Sequence, residues 1–242
     1  MSSADFKELL LHHLAPGLGC VITLMMFVSP LHAIQHVRKK QCLGELNPLP
    51  LVAIIANCMV WLIYGCFTRD PYIIAPNGPG LMLGVFFSFS AYGFAGHKMR
   101  DLMLQALLFF TALISSASIY ICLYVTDHQG QVKAAGYQAV AVLLLYYAAP
   151  LSSLAEVLRS WSCISLHAPL SAMSCANGAL WVTYGLAVQD PFVWGPNAVG
   201  ASFGLLQLLL LAVLPRRPHE GGLLGRAGEE EEEEDMQVPL MT

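Results

Sequence analysis

Two copies of one pattern decide how this chain folds. Residues 57–80 read NCMVWLIYGCFTRDPYIIAPNGPG, and residues 177–200 read NGALWVTYGLAVQDPFVWGPNAVG. The segments are offset by 120 positions and share nine residues at identical spacing: Asn57/Asn177, Trp61/Trp181, Tyr64/Tyr184, Gly65/Gly185, Asp70/Asp190, Pro71/Pro191, Pro76/Pro196, Asn77/Asn197 and Gly80/Gly200. Unrelated apolar segments would match at Leu and Ala rather than at Asn, Asp, Trp and Pro. The chain therefore contains an internal repeat.

The composition indicates a protein that crosses a membrane several times. Of the 242 residues, 56% are hydrophobic and 12% are charged, whereas a soluble domain has about 25% charged residues. Apolar runs of roughly 20 residues, the length of a membrane-spanning helix, predict seven spans at residues 14–35, 48–68, 71–95, 101–124, 134–158, 169–188 and 191–214. We therefore expect an all-α polytopic membrane protein embedded in a lipid bilayer.

The number of spans predicts how the two repeats are related. Spans one to three (14–95) and five to seven (134–214) contain the repeat, and span four (101–124) has no counterpart. Three spans reverse the direction of the chain, so one additional helix restores it and makes the two triplets parallel. We predict two parallel three-helix bundles joined by a linker helix, an arrangement that places a binding site between the repeats in membrane transporters.

The distribution of Lys and Arg predicts the orientation of the chain. One side of the predicted spans carries nine of these residues and the other side carries three. Because positively charged loops face the cytoplasm, we expect residues 1–13 to be an extracellular N-terminus and the C-terminus to be cytoplasmic. Residues 215–242 combine glycines with the acidic run 229–235 and contain too few apolar residues for a core, so we predict a disordered acidic tail.

Asparagine and tryptophan recur at matched depth in the two repeats. A rise of about 1.5 Å per residue places Trp61 roughly 20 Å up span two and Asn77 roughly 9 Å down span three, levels that coincide in a hydrocarbon core of about 30 Å. Trp181 and Asn197 lie at nearly the same level in the second repeat. Amides can donate to and accept from neutral hydroxyls, and an indole face can pack against a sugar ring. We predict that these four residues line a substrate-binding pocket, although asparagines also bridge membrane helices.

The predicted pocket carries no fixed charge. No Asp, Glu, Lys or Arg lies deep in a span, so a charged ligand would lack a partner there. The cysteines and histidines show no spacing typical of a metal site, and we identify no pair of nucleophile and base. We therefore predict no enzymatic activity, no metal and no cofactor, and the absence of a basic patch argues against nucleic-acid binding.

Prolines recur toward the predicted cytoplasmic ends of the spans. Pro30 and Pro150 lie in the inner thirds of spans one and five, and Pro50 lies near the inner end of span two. Proline removes a backbone donor and kinks a helix, so these residues can act as hinges of an inner gate. Alternatively, they reflect the general frequency of proline in membrane helices.

Tyrosines and aspartates recur at the opposite ends of the spans. Tyr64, Tyr184, Asp70 and Asp190 all fall near the predicted outer surface. They either form an outer gate or anchor the interface, and the two carboxylates can also stabilise the starts of the helices that follow them.

Taken together, these motifs resemble the SWEET (MtN3/saliva) family of sugar transporters. The resemblance covers about residues 14–214 and includes the three-plus-one-plus-three layout, Ser29-Pro30, NPLP at 47–50, Ala149-Pro150, and WxxYG and PNxxG in both repeats. General accounts of parallel-repeat transporters already name this family as an example. The resemblance implies bidirectional, energy-independent uniport of a mono- or disaccharide by alternating access, by a homo-oligomer, and we expect a location in the plasma membrane.

The resemblance also implies roles for individual residues. It assigns the pocket to Trp61, Asn77, Trp181 and Asn197, the inner gate to Pro30, Pro50 and Pro150, and the outer gate to Tyr64, Tyr184 and Asp190. The fourth gate proline of the family would fall near His167, whereas the nearest proline of this chain is Pro169. Either the register shifts by two residues or the gate closes differently, and we include Pro169 in the predicted inner gate.

Two other functions use seven helices. The first is a proton-coupled exporter of amino acids of the PQ-loop type, but a zwitterion requires charged partners and proton coupling requires buried carboxylates, which the pocket lacks. The second is a non-transporting seven-helix receptor, which has no need of two matching triplets. A retinal protein in particular needs a lysine in span seven, where there is none. The sequence favours the passive sugar uniporter.

Overall fold

The computed structural model describes residues 2–164 and 166–215, and all regular secondary structure in these residues is helical. The first span contains α1 (Ser3–Leu9), a π-helical turn (Leu10–Leu14), α2 (Ala15–Val28) and α3 (Leu31–Lys40). The other helices are α4 (Leu49–Thr68), α5 (Pro71–Tyr92), α6 (His97–Tyr124), α7 (His128–Tyr146), α8 (Ala148–Ser160), α9 (Ala168–Ala187) and α10 (Pro191–Val213). Apart from Pro215, the predicted acidic tail lies outside the described residues.

Each predicted span corresponds to one helix or to a series of helices. Within the described residues, five helices are long and apolar enough to cross a membrane: Ala4–Lys40, Leu49–Thr68, Pro71–Tyr92, His97–Tyr124 and Pro191–Val213. The pair α7 and α8 and the helix α9 occupy the positions of the two remaining spans. All seven predicted spans are therefore represented by helices.

The repeated Asp-Pro dipeptides begin the third helix of each repeat. Asp70 precedes α5, and its Oδ1 accepts hydrogen bonds from the backbone N–H groups of Tyr72 at 2.9 Å and Ile73 at 3.4 Å. Asp190 precedes α10 and accepts in the same way from two backbone N–H groups. Because proline follows each aspartate, the first helical position needs no hydrogen-bond acceptor, and the dipeptide is a complete helix start.

The first and fifth spans differ from the predicted ones. The first helix begins at Ser3 instead of residue 14, because the side chains of Ser2 and Asp5 form a reciprocal capping box. The fifth span begins at His128 instead of residue 134, where the Asp127 side chain caps the helix. Both spans are also broken, at Ser29 and Pro30 between α2 and α3 and at Tyr147, three residues before Pro150, between α7 and α8. Proline cannot continue the hydrogen bonding of the preceding helix, so the breaks lie where the prolines were expected to act.

The helices form two bundles of the same design. One bundle contains α2, α4 and α5, and the other contains α7, α9 and α10. The bundles meet twice, where α2 packs against α9 and where α4 packs against α7, and α6 packs against α4 and α7. The largest cluster of buried residues lies along these contacts and includes Trp61, Tyr64, Trp181 and Tyr184. The repeat thus builds two equivalent halves with their shared residues facing each other.

Candidate functional site

A cavity of about 840 Å³ lies between the two bundles. Helices of both bundles line it, together with residues of α6, and its volume is in the range of small-molecule sites. All four residues predicted for the pocket, Trp61, Asn77, Trp181 and Asn197, contribute to its wall. The described lining residues include no carboxylate, ammonium, guanidinium or imidazole group, so the cavity is polar without being charged.

The amides of Asn77 and Asn197 are held in the same way in the two halves. Nδ2 of Asn77 donates to the carbonyl oxygen of Ile73 at 2.8 Å, and Nδ2 of Asn197 donates to that of Val193 at 2.8 Å. Each acceptor lies four residues earlier on the same helix, so the amide is fixed against its own helix. The second N–H of each amide and its Oδ1 have no partner among the described residues. Two donors and two acceptors are therefore available to a neutral ligand.

Two other shared asparagines also line the cavity, one helical turn from the tryptophans. Oδ1 of Asn177 accepts a hydrogen bond of 2.8 Å from Oγ1 of Thr23, which itself accepts one of 3.1 Å from Nε1 of Trp181. Oδ1 of Asn57, by contrast, is buried without a partner among the described residues. The two halves of the cavity thus differ in their polar contacts.

Sequence reasoning missed Thr23, which is one of several hydroxyl residues in apolar segments. The only available signal is its position four residues after Gly19 in α2, which places both residues on one face of the helix. Sequence reasoning also missed Phe27 and Tyr147, which line the cavity beside the shared glycines Gly80 and Gly200. The residue types at these two aromatic positions differ between the repeats, so only the glycines were apparent.

Two reciprocal hydrogen bonds close one end of the cavity, here called the aspartate end. Tyr64 of the first bundle donates to Oδ2 of Asp190 in the second at 2.7 Å. Tyr184 of the second bundle donates to Oδ2 of Asp70 in the first, also at 2.7 Å. Each carboxylate therefore caps its helix with one oxygen and accepts a hydrogen bond from the other bundle with its second oxygen.

An aromatic layer lies directly beneath these hydrogen bonds. The rings of Trp61 and Tyr64 make an edge-to-face contact at a centroid distance of 5.9 Å, and those of Trp181 and Tyr184 make a similar contact at 6.1 Å. The ring of Phe192 packs against Tyr64 at 5.9 Å. Such contacts stabilise aromatic pairs beyond the burial of their surface. The described cavity lining includes the two tryptophans but not Tyr64, Tyr184 or the two aspartates.

The cavity reaches the opposite end of the bundles, here called the proline end. Pro30 and Pro50 line it there, together with Asn47 at the start of α4. Pro169 is not among the described lining residues, but it is the second residue of α9 just as Pro50 is the second residue of α4. The side chain of Pro150 lies outside what the structure describes. The cavity thus extends to the proline end.

Comparison with known proteins agrees with the geometry. The family described as "sugar efflux transporter for intercellular exchange" matches residues 14–99 and 133–219, one match for each repeat. "Bidirectional sugar transporter SWEET7" of Arabidopsis thaliana is 27% identical over 89% of this chain and 88% of its own length. "Sugar transporter SWEET1" of Drosophila pseudoobscura pseudoobscura is 27% identical over 83% of this chain and 88% of its own.

A solved structure has the same fold. The structure of a eukaryotic SWEET transporter superimposes with a TM-score of 0.72 and 26% sequence identity, covering 82% of this chain and 94% of that one. The predictions of an internal repeat and of an all-α polytopic fold with two three-helix bundles and a linker helix are confirmed.

Proposed function

This chain belongs to the SWEET (MtN3/saliva) family, and we propose that it carries a mono- or disaccharide across a membrane, in either direction and without coupling to an ion gradient. The family is one of transporters and not of enzymes. The observation that carries the proposal is the uncharged cavity between the repeats, lined by paired indoles and paired amides.

The chemistry of the cavity suits a sugar. The unbonded N–H and Oδ1 of Asn77 and Asn197 serve as donor and acceptor for ring hydroxyls. The indoles of Trp61 and Trp181 offer apolar faces to the C–H side of the ring. A charged ligand would have to lose its hydration without gaining a counter-ion, so selection against ions and zwitterions follows from the absence of charge.

Alternating access is the mechanism that we propose. The hydrogen bonds of Tyr64 and Tyr184 to aspartates of the other bundle support a role as the gate that is closed in this conformation. Their rupture, combined with closure of the proline end, would open the cavity to the other side. The breaks at Pro30 and before Pro150 support these residues as hinges, and Pro50 and Pro169 complete the proline gate.

The orientation in the membrane is part of the proposal. The excess of Lys and Arg at the proline end supports a cytoplasmic location for that end and for the C-terminus, with the N-terminus outside. The membrane that we propose is the plasma membrane. Cys42 is exposed and lies between α3 and α4 at the proline end. In intact cells, a membrane-impermeant maleimide should label Cys42 only after permeabilisation, and labelling without it would reverse the orientation.

The family resemblance also supports assembly as a homo-oligomer. Chemical cross-linking in native membranes, followed by denaturing electrophoresis, should give discrete multiples of the 26.3 kDa chain. Recovery of the monomer alone, under conditions that cross-link a known membrane oligomer, would exclude assembly.

Flux into liposomes tests the function. The purified protein is reconstituted and the uptake of radiolabelled glucose and sucrose is measured with no ion gradient, with and without a protonophore. We expect saturable flux of at least one sugar that the protonophore leaves unchanged, and equal flux in the efflux direction. Flux that requires a proton gradient would overturn passive transport and favour a proton-coupled exporter.

A further inference from the structure

The two halves of the cavity are built from the same repeat, and one of the positions at which they differ is occupied by Thr23. Thr23 on α2 faces α9 of the second bundle, and the residue 120 positions later is Leu143, on α7, which packs against α4 of the first bundle. Both residues line the cavity. A hydroxyl is therefore present on one side of the cavity and replaced by an alkyl group on the other.

The hydroxyl of Thr23 takes part in a chain of hydrogen bonds whose direction is determined by chemistry. Nε1 of Trp181 can only donate, so Oγ1 of Thr23 is the acceptor in their contact of 3.1 Å. The single proton of Thr23 then goes to Oδ1 of Asn177 at 2.8 Å. The chain crosses from one bundle to the other and occupies the indole N–H and one of the two lone pairs of the amide oxygen.

A second observation shows that α2 is shaped to receive Trp181. A Cβ atom on Gly19 would lie 3.2 Å from Cε2 and 3.3 Å from Nε1 of the indole. These distances are shorter than most van der Waals contacts, so the indole lies directly against Gly19 and would have to shift by a few tenths of an ångström to admit a Cβ atom. Gly19 and Thr23 are one turn apart and together hold both the ring and its nitrogen.

The opposite side of the cavity has no such arrangement. Leu143 belongs to the same cluster of buried residues as Trp61 and cannot hydrogen-bond to it. Among the described residues, neither Nε1 of Trp61 nor the amide of Asn57 has a hydrogen-bond partner, and Oδ1 of Asn57 is buried. Nothing in this half determines the orientation of the Asn57 amide.

We infer that Thr23 is a positioning residue that orders one wall of the cavity and leaves the other wall to adapt to the sugar. This inference depends on the transport function proposed above. Thr23 fixes Trp181 and Asn177 as a rigid wall whose indole N–H is unavailable to the ligand. Trp61 and Asn57 form the adaptable wall, because no partner among the described residues fixes either side chain, and Nε1 of Trp61 remains free for a ring hydroxyl while Oδ1 of Asn57 is buried. A rigid wall reduces the cost of ordering side chains on binding, so it increases affinity without contacting the sugar through Thr23.

Variants at position 23 test whether the hydroxyl positions the wall. In liposomes with radiolabelled glucose and sucrose, Thr23→Val should raise the KM of the transported sugar roughly 5- to 30-fold with little change in kcat. Thr23→Ser retains the hydroxyl and should restore the wild-type KM. Thr183→Val is the matched control, because the hydroxyl of this partly buried threonine bonds only within its own helix, to the carbonyl of Ala179 at 2.8 Å.

Moving the hydroxyl to the other wall is the sharper test. Leu143→Thr alone should raise KM, because its hydroxyl accepts from Nε1 of Trp61 and withdraws this donor from the ligand. The exchange variant Thr23→Leu with Leu143→Thr again has one rigid and one adaptable wall, so its KM should be lower than that of either single variant. An exchange variant whose KM shows the summed increases of the two single variants would overturn the inference. A wild-type KM in Thr23→Val would also overturn it, as would a KM of Thr23→Ser as high as that of Thr23→Val.

A measurement without sugar separates this inference from the transport function. The indole ¹H–¹⁵N signal of Trp181, assigned by its disappearance in Trp181→Phe, should exchange slowly with solvent in the wild type and at least several-fold faster in Thr23→Val. Equal exchange rates would refute the hydrogen bond itself. Slow exchange in a wild-type protein that carries neither sugar would place the failure in the proposed transport function.

Discussion

Replacing Tyr64 by phenylalanine removes one bond of the closed aspartate end and little else. The Tyr64 hydroxyl donates to Oδ2 of Asp190 at 2.7 Å. Phenylalanine keeps the ring contacts with Trp61 and Phe192, and Oδ1 of Asp190 keeps its backbone partners at the start of α10. The substitution therefore acts on the contact between the two bundles.

The size of the effect follows from the type of hydrogen bond. A hydrogen bond to a charged acceptor contributes roughly 1.5–3 kcal/mol, and this one joins the bundles only while the aspartate end is closed. Its loss should shift the ratio of open to closed conformations by roughly 10- to 150-fold, at 1.4 kcal/mol for each factor of ten. This shift toward the open conformation is smaller if the freed carboxylate oxygen forms a hydrogen bond with water in the closed conformation.

Distances between spin labels measure this shift. Cys66 and Leu186 are exposed equivalents near the ends of α4 and α9, so labels on Cys66 and Leu186→Cys, with the other cysteines replaced by serine, report on the width of the aspartate end. We expect the wild type to give mainly a short distance and Tyr64→Phe to add a longer one. Tyr184→Phe should act similarly, because it removes the reciprocal bond to Asp70.

The control is Tyr124→Phe, which removes a hydroxyl from an exposed ring on α6. It should leave the distances of the wild type unchanged. An unchanged distribution in both Tyr64→Phe and Tyr184→Phe would refute the reasoning, because the hydrogen bonds would then not hold the end closed.

Three further substitutions follow from the packing and the helix caps. Gly185→Ala places a Cβ 2.6 Å from the backbone nitrogen of Trp194, so it should destabilise the protein by roughly 1–3 kcal/mol and lower its melting temperature. The control is Gly195→Ala, whose Cβ meets nothing within 4 Å and should leave the melting temperature unchanged. Equal melting temperatures of the two variants would contradict this expectation. Asp190→Asn keeps an oxygen for the helix start while Asp190→Ala removes it, so spin-label distances should show the larger opening in the alanine variant. Ser88→Ala removes a buried hydroxyl that has no partner among the described residues and should raise the melting temperature, since such a group costs about 1–3 kcal/mol; a lower melting temperature would show that the hydroxyl has a partner.

Local chemistry made much of the fold predictable. Asp70-Pro71 and its copy predict where a helix begins, because the aspartate caps the helix and the proline has no backbone N–H that needs an acceptor. Helical rise alone brought Trp61 and Asn77 to one depth, and both line the cavity. These features depend on neighbours along the chain, which the sequence contains directly.

Long-range packing accounts for what the sequence did not reveal. That Tyr64 bonds to Asp190 and not to Asp70 depends on how the two bundles meet, and nothing near either residue specifies it. The same holds for Thr23, whose partners lie more than 150 positions away in the chain. The start of the first helix was missed for a different reason, because the capping box of Ser2 and Asp5 precedes the apolar run that defined the span.

Equilibrium counterflow tests most directly whether sugar passes through the cavity between the repeats. Liposomes preloaded with unlabelled glucose or sucrose are diluted into a trace of the labelled sugar without an ion gradient, and wild type is compared with Asn77→Ala and Asn197→Ala. The account predicts transient accumulation of label in the wild type and at least a tenfold loss of rate in both variants, since each loses roughly 1.5 kcal/mol or more of hydrogen bonding to the ligand. Wild-type rates in correctly folded Asn77→Ala and Asn197→Ala would contradict it, because the paired amides would then not be part of the sugar path.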